Sequence, residues 1–495
     1  MNLAPHSSDP PRDLPIDDVE IADPMQAPEL AGTQHVVSAL ASEDVRRRGH
    51  DYSGLRARID QVFRFIGQAR TDSLIRNSVF IMATTVVSAA FGYAFWLLAA
   101  RVCSPAIVGL TAAVTSAANI MLLLSSLGVG GSLIQSLPRQ PKETEWSATF
   151  WASMGTVTLF SVALSGIGVV MLPLISPELT LLRGAACAAV FVVGTVTLTV
   201  GATLDYVYVA ERRASYAFTR NFALGAVKVL MLGVLALALG PNALRLLGAW
   251  AVAAVFGLAF GVALLVRYIG VARPPRLSVL TQTARGFRAR VTGHGLIGMG
   301  AGLLPYLLPL LVTARLSAQD NAYFYTTWML AGLVMVVAPA FSNSLFAEGM
   351  HRPEEIGALA RSAFKLMGAI LVPCLLIILF LGGTLLSAFG HAYTDHAEGL
   401  LRLAVLASVP DAVVQVYVGV LRVEARLSAA ATLLLAIGIG TLVISWFLLP
   451  LVGISAVGWA FLITQLCGCL YVALDALRQR SRTAAQHGRF PKEIS

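Results

Sequence analysis

From residue 77 onward the chain alternates between apolar stretches and short polar breaks. The stretches run to about 20 residues or more, the length that carries a helix across a bilayer's hydrocarbon core. Twelve are recognisable: 77–100, 106–133, 147–172, 180–209, 217–239, 245–268, 292–314, 321–346, 357–382, 399–420, 429–450 and 454–476. Before them the pattern is different. Residues 1–30 hold six prolines and seven acidic residues against one Arg, with no apolar run to form a signal-peptide core. Such a segment cannot bury enough surface to fold, so residues 1–54 are expected to form a disordered cytoplasmic tail. Over 55–76, Leu55, Ile59, Val62, Phe63 and Ile66 recur at helical spacing between Arg56, Arg58, Arg64 and Arg70. That pattern predicts an amphipathic juxtamembrane helix on an anionic leaflet, with a plain linker as the alternative.

Composition makes the membrane reading unavoidable. Of 495 residues 57% are hydrophobic and 13% charged, the latter about half the usual share in soluble domains. The mean hydropathy is +0.74. A net charge of +9 would suggest nucleic acid in a soluble chain, but here the basic residues lie between apolar runs, where they set orientation, and no nucleic-acid partner is expected. With the N-terminus inside, the breaks after even-numbered spans and the span ends beside them, Arg220 included, plus the tail 477–495 hold twenty Lys and Arg, and the odd-numbered breaks and their flanking span ends hold five: Arg101, Arg183, Arg245, Arg315 and Arg402. The expected protein is multi-pass in the cytoplasmic membrane, with both termini cytoplasmic.

The longest internal break, 269–291, divides the spans into a first half (77–268) and a second half (292–476). Arg101 in AARVCSPAIVG stands against Arg315 in TARLSAQDNAY, and ERRAS (Glu211 to Ser215) against EARLS (Glu424 to Ser428), at offsets of 214 and 213. Because six is even, both copies enter from the same side and are parallel repeats. The fold expected is all-α integral membrane, with about twelve transmembrane helices in two parallel six-helix halves around a central cavity. Rocking about such a cavity is the logic of a transporter rather than a pore.

No metal or cofactor chemistry is indicated. Cys103, Cys187, Cys374, Cys467 and Cys469 fall in or beside apolar segments, with no paired Cys-x-x-Cys spacing and no histidines to complete a ligand set.

Three motifs carry a resemblance: AR-x-x-SPA-x-VG between spans one and two, LG-x-GG-x-L closing span two, and DYVYVAERRASYAFTRN leaving span four. Over residues 77–476 the chain resembles the bacterial polysaccharide transporters of the multidrug/oligosaccharidyl-lipid/polysaccharide superfamily. The resemblance implies flipping of a polyprenyl-pyrophosphate-linked oligosaccharide for surface polysaccharide biosynthesis. Partners would be the lipid-linked glycan, membrane lipids, and a polysaccharide polymerase or glycosyltransferases. Twelve spans rather than fourteen make lipid II a less favoured substrate. A cation-coupled exporter of drugs or small metabolites on the same fold is the alternative, with Asp411 as its coupling carboxylate. A membrane enzyme acting on polyprenyl-linked sugars is disfavoured, because the loops lack an Asp-x-Asp pair.

A flippase needs cations in a wet cavity to meet phosphates, and the planar fork of Arg suits them. Arg101 and Arg315, symmetry-related at the ends of spans one and seven, are candidates, with snorkelling into headgroups the alternative. Depth arithmetic sets Lys365 and Asp411 level on consecutive helices, which predicts an ion pair. Lys228 has no carboxylate at its own level and is the better candidate for the cavity. Pro305 and Pro309 in span seven would bend it and could act as a hinge. His294 at the start of that span is expected to be interfacial. Asn119, Gln135, Gln415 and Gln465 would either line the sugar path or bond between helices.

Overall fold

The computed structural model describes residues 73–126, 128–139, 145–268, 302 and 304–487. The tail 1–54, nearly all of the 55–76 segment, the linker 269–291, His294 and residues 488–495 lie outside them.

The described chain is helical. The first half comprises α1 (Ser73–Val102), α2 (Pro105–Ser125), α3 (Val129–Ser136), α4 (Glu145–Ile175), α5 (Ala185–Ala210), α6 (Ala214–Leu239) and α7 (Ala243–Tyr268). The second comprises α8 (Leu304–Arg315), α9 (Ala318–Met335), α10 (Val337–Gly349), α11 (Ile356–Ser387), α12 (His391–Val423), α13 (Leu427–Val452) and α14 (Ser455–His487). Eleven spans among the described residues are long and apolar enough to cross a membrane. The twelfth is represented by α8, the described part of span seven. Side chains such as Phe380, Leu451, Leu159 and Phe160 stand outward and exposed, an apolar belt whose solvent is lipid.

Each half repeats the other helix for helix. The second span is broken in both, α2 from α3 and α9 from α10. Gly128 makes the first break in the left-handed region (φ 68°). Pro339, just past the second break, lacks the N–H that would bond Met335. The packing pairs α1–α6, α6–α7, α5–α7, α4–α5 and α3–α5 recur as α8–α13, α13–α14, α12–α14, α11–α12 and α10–α12. Even the turns repeat. Arg212 (φ 55°) and Ala425 (φ 59°) are the two non-glycine residues with positive φ among those described. Arg213 N bonds Tyr208 O just as Arg426 N bonds Leu421 O, both at 2.8 Å, closing two helix ends in the same way.

We call the end of the bundle richer in Lys and Arg the inner end. The halves meet principally through α2 against α8 and α9, and most of the contacts lie toward the outer end. Arg101 Nε donates to Ala388 O (2.5 Å), and Asn321 Nδ2 donates to Gly109 O (2.7 Å). Ser176 Oγ donates to Thr313 O (3.5 Å). Tyr93 packs edge-on against Phe389 at 5.4 Å and Trp96 tilts on Tyr325 at 4.8 Å. Gly109 is required there, because a Cβ would come 1.6 Å from Ala318 O. Leu123 against Gly302 is a deeper contact between the halves. One apolar core, from Phe95 and Val108 through Val312 and Tyr323 to Leu386 and Phe389, runs through this outer seam.

Candidate functional site

A cavity of about 980 Å3 opens inside the second half, and its lining residues come from α8, α9, α10, α12, α13 and α14, with Val336 at the α9–α10 break. Its chemistry is concentrated on α12. Pro410 breaks the helical hydrogen-bond ladder one residue before Asp411, and its carbonyl takes the Cys469 thiol of α14 at 3.3 Å. The helices are thereby held close, and Asp411 is 4% exposed. Asp411 Oδ1 accepts from Gln465 Nε2 (3.0 Å) and Gln415 Nε2 (3.3 Å). Gln465 Oε1 and Ser342 Oγ, both buried and both lining the cavity, meet no hydrogen-bond partner among the described residues. Uncompensated buried polar atoms are costly unless something polar visits them.

Around this polar floor stand Tyr306, Tyr325, Trp328, Phe346 and Phe461. Trp328 meets Phe461 edge-on at 5.6 Å, which fixes both rings. Arg422, at the inner end of α12, guards the mouth. Its Nη1 donates to Asn343 Oδ1 (2.7 Å) and its guanidinium lies 4.3 Å over the Phe346 ring. At about 1.5 Å per residue, Arg422 lies about 16 Å along the helix from Asp411. Pro305 lines the cavity. Pro309 is buried within α8, and its carbonyl accepts from Thr313 Oγ1 at 2.8 Å.

Three expectations are corrected. Asp411 does not pair with Lys365: the lysine is exposed on α11, while the carboxylate turns into the cavity. Equal depth on consecutive helices did not mean facing sides, because a few positions along a helix swing a side chain through a half-turn. Arg101 and Arg315 are not in the cavity either. Arg101 caps the carbonyl end of α11 across the seam, where a cation meets the negative end of the helix dipole. Arg315 lies 4.5 Å over Trp446 within its own half. Lastly, Arg220, counted as a loop cation, is 3% exposed and forms a forked pair with Asp205, with contacts of 2.7 and 2.5 Å.

Lys228, midway along α6, lies 5.1 Å from the Phe95 ring and has no ion-pair partner among the described residues. Gln415 and Gln465 both line the cavity and bond between groups there. Asn119 bonds back to Thr115 O in its own helix, and Gln135 is exposed. Sequence reasoning did not single out Arg422, Asn343 or the ring set, since one aromatic per turn on several separate helices gives no linear signal.

No family model and no curated protein sequence matches the chain. Solved structures do. The chain is similar to an inward-facing multidrug resistance MATE family transporter of the MOP superfamily, with 14% identity and a TM-score of 0.60 over 84% of this chain and all of that one. It is similar to the lipid II flippase MurJ in an inward closed conformation, with 10% identity and a TM-score of 0.63 over 80% of this chain and 87% of that one. A eukaryotic MATE transporter matches with 13% identity and a TM-score of 0.53 over 84% of this chain and all of that one. At these identities the likeness establishes the fold: an all-helical, two-half arrangement of the kind these proteins share.

Proposed function

We propose that the protein is an alternating-access transporter of the cytoplasmic membrane that flips a lipid-linked oligosaccharide from the inner to the outer face. The observation that carries the reading is the lining of the second-half cavity. Sugars present hydroxyl edges and weakly polar ring faces. Asp411, Gln415, Gln465, Ser342 and Asn343 supply acceptors and donors for the edges, and the five aromatic rings supply platforms for the faces. Arg422 at the mouth is set to meet a phosphate that trails at the lipid interface. Lys228, whose ammonium lies against the Phe95 ring face, is a second cation for the same anion during rocking. The seam closed at the outer end leaves loading to the inner side, where such lipids are assembled.

One observation favours a second reading: Asp411 is the acidic side chain lining the cavity, as a proton- or sodium-coupled exporter of cationic compounds would require. Reconstitution separates the two. Proteoliposomes are given a fluorescent short-chain polyprenyl-pyrophosphate disaccharide or an organic cation dye under an imposed ion gradient. The flippase reading expects movement of the glycolipid, a loss of tenfold or more in Arg422→Gln, and no dye uptake. Dye uptake abolished by Asp411→Asn, with an immobile glycolipid, would replace it with the exporter.

A further inference from the structure

The floor of the second-half cavity holds a carboxylate without a counter-charge. Asp411 has no ion pair among the described residues, whereas Asp205 in the first half has its cation in Arg220. The one cation among the described lining residues is Arg422, held at the mouth by Asn343 and Phe346. A carboxylate taken out of water needs a cation or a full set of donors. Both amide donors, Gln465 Nε2 and Gln415 Nε2, converge on Oδ1 of Asp411, so its Oδ2 accepts from no described residue.

Beside it is a second acceptor without a donor. Gln465 is 3% exposed, spends its Nε2 on Asp411 and leaves Oε1 without a partner among the described residues. One turn earlier on the same face of α14, Phe461 also lines the cavity, with Trp328 edge-on to it at 5.6 Å. A hydroxyl or an acetylated nitrogen has one donor to share between these two acceptors, whereas an ammonium has three and no acceptor of its own. Its charge matches the carboxylate and is attracted to ring faces. The floor is therefore built for a cationic amine rather than for a neutral sugar edge.

We propose that this floor receives the ammonium of an amino sugar whose nitrogen is not acetylated. Resting on the flippase reading, the cargo is a lipid-linked oligosaccharide that carries this sugar away from its phosphate. The phosphate then stays at Arg422 while the ammonium reaches Asp411, about 16 Å along α12, a span longer than one sugar ring. A free amino sugar offers the same chemistry without the lipid and is the other source.

The full-length protein is purified in neutral detergent, and binding of a glucosamine disaccharide and of its N-acetylated form is measured by equilibrium dialysis. The amine form should bind tenfold or more tightly. Asp411→Asn keeps the side chain's size and its Oδ1 acceptor and should abolish that preference. Adding Gln465→Glu returns a carboxylate to the same floor and should restore part of it. Glu354→Gln, which removes an exposed carboxylate just before α11, should bind as the unmodified protein does. Proteoliposomes are then given fluorescent polyprenyl-pyrophosphate disaccharides ending in glucosamine or in N-acetylglucosamine. Movement of the amine-bearing glycolipid tenfold faster than the acetylated one, with the difference lost in Asp411→Asn, assigns the site to lipid-linked cargo. If neither glycolipid moves while the disaccharide still binds through Asp411, the flippase reading fails and the site belongs to a free amino sugar. Binding without preference for the amine, or a preference that Asp411→Asn leaves intact, overturns the proposal. Equal movement of the two glycolipids overturns it for the cargo and leaves the flippase reading standing. Should Asp411→Asn fail to fold, Phe461→Leu, which removes a ring platform and keeps the carboxylate, decides by the same comparison, with the preference expected to fall severalfold.

Discussion

Two aspartates in the membrane meet opposite fates, and the difference lies in their neighbours. Asp205 is locked by the Arg220 fork and by Asn221 Nδ2 at 2.8 Å, a network that neutralises its charge. Asp411 has only neutral amides around it and an open cavity in front. The first is therefore structural, and the consequence is measurable. Removing one partner of a buried pair leaves an uncompensated charge, which costs about 3–5 kcal/mol, toward the low end here because Asp205 keeps some exposure. Arg220→Met should lower the melting temperature in detergent and the folded yield, and Arg220→Met with Asp205→Leu should recover most of both. Lys365→Met should change neither, since its ammonium stands outside the fold. A stable Arg220→Met single variant would show that the pair contributes nothing.

At the scale of the helix, the outer seam is where glycine chemistry decides conformation. α2 and α9 approach so closely at Gly109 that no side chain fits, and Asn321 reaches back to the Gly109 carbonyl. Gly109→Ala should hold the outer ends apart, and Arg101→Gln should weaken the same closure by removing the cap on α11. In both variants a cysteine placed at Ser387 should react faster with an impermeant maleimide added outside, severalfold over the unmodified seam. Unchanged labelling would mean that the seam is not the outer gate. The sequence made the seam half-visible. The offset matching Arg101 to Arg315 marked equivalent helix ends, because a repeat preserves local pattern. The partners of those ends, Ala388 and Trp446, belong to distant helices, and periodicity along one helix carries no information about which neighbour a side chain will meet. The same limit explains the missed Asp205–Arg220 pair, fifteen positions apart across a turn, and the mistaken Lys365–Asp411 pair.

For the whole molecule, span count and duplication were legible because hydrophobic length and basic-residue placement are one-dimensional signals, and the bilayer constrains both. The repeat was legible from ERRAS and EARLS because the left-handed turn at Arg212 and Ala425 needs a local sequence to close two helices alike. Cavity position was not legible, since it depends on how the two halves have diverged: the first fills its α5–α6 contact with the Asp205–Arg220 pair, whereas the second keeps a cavity lined by α12 and α13. What remains is which way the structure faces. On the orientation we propose from twenty basic residues against five, the turn at Glu354 and the mouth at Arg422 would lie inside, and the start of α12 at Asp395 outside. In a variant lacking its five native cysteines, single cysteines at the exposed positions 354 and 395 should label oppositely in intact cells. Position 395 should react with an external impermeant maleimide, and position 354 only after permeabilisation. The reverse result would put the open cavity on the outer side and the closed seam within, and cargo would then have to load from outside, which no exporter or flippase of an internally assembled lipid could do.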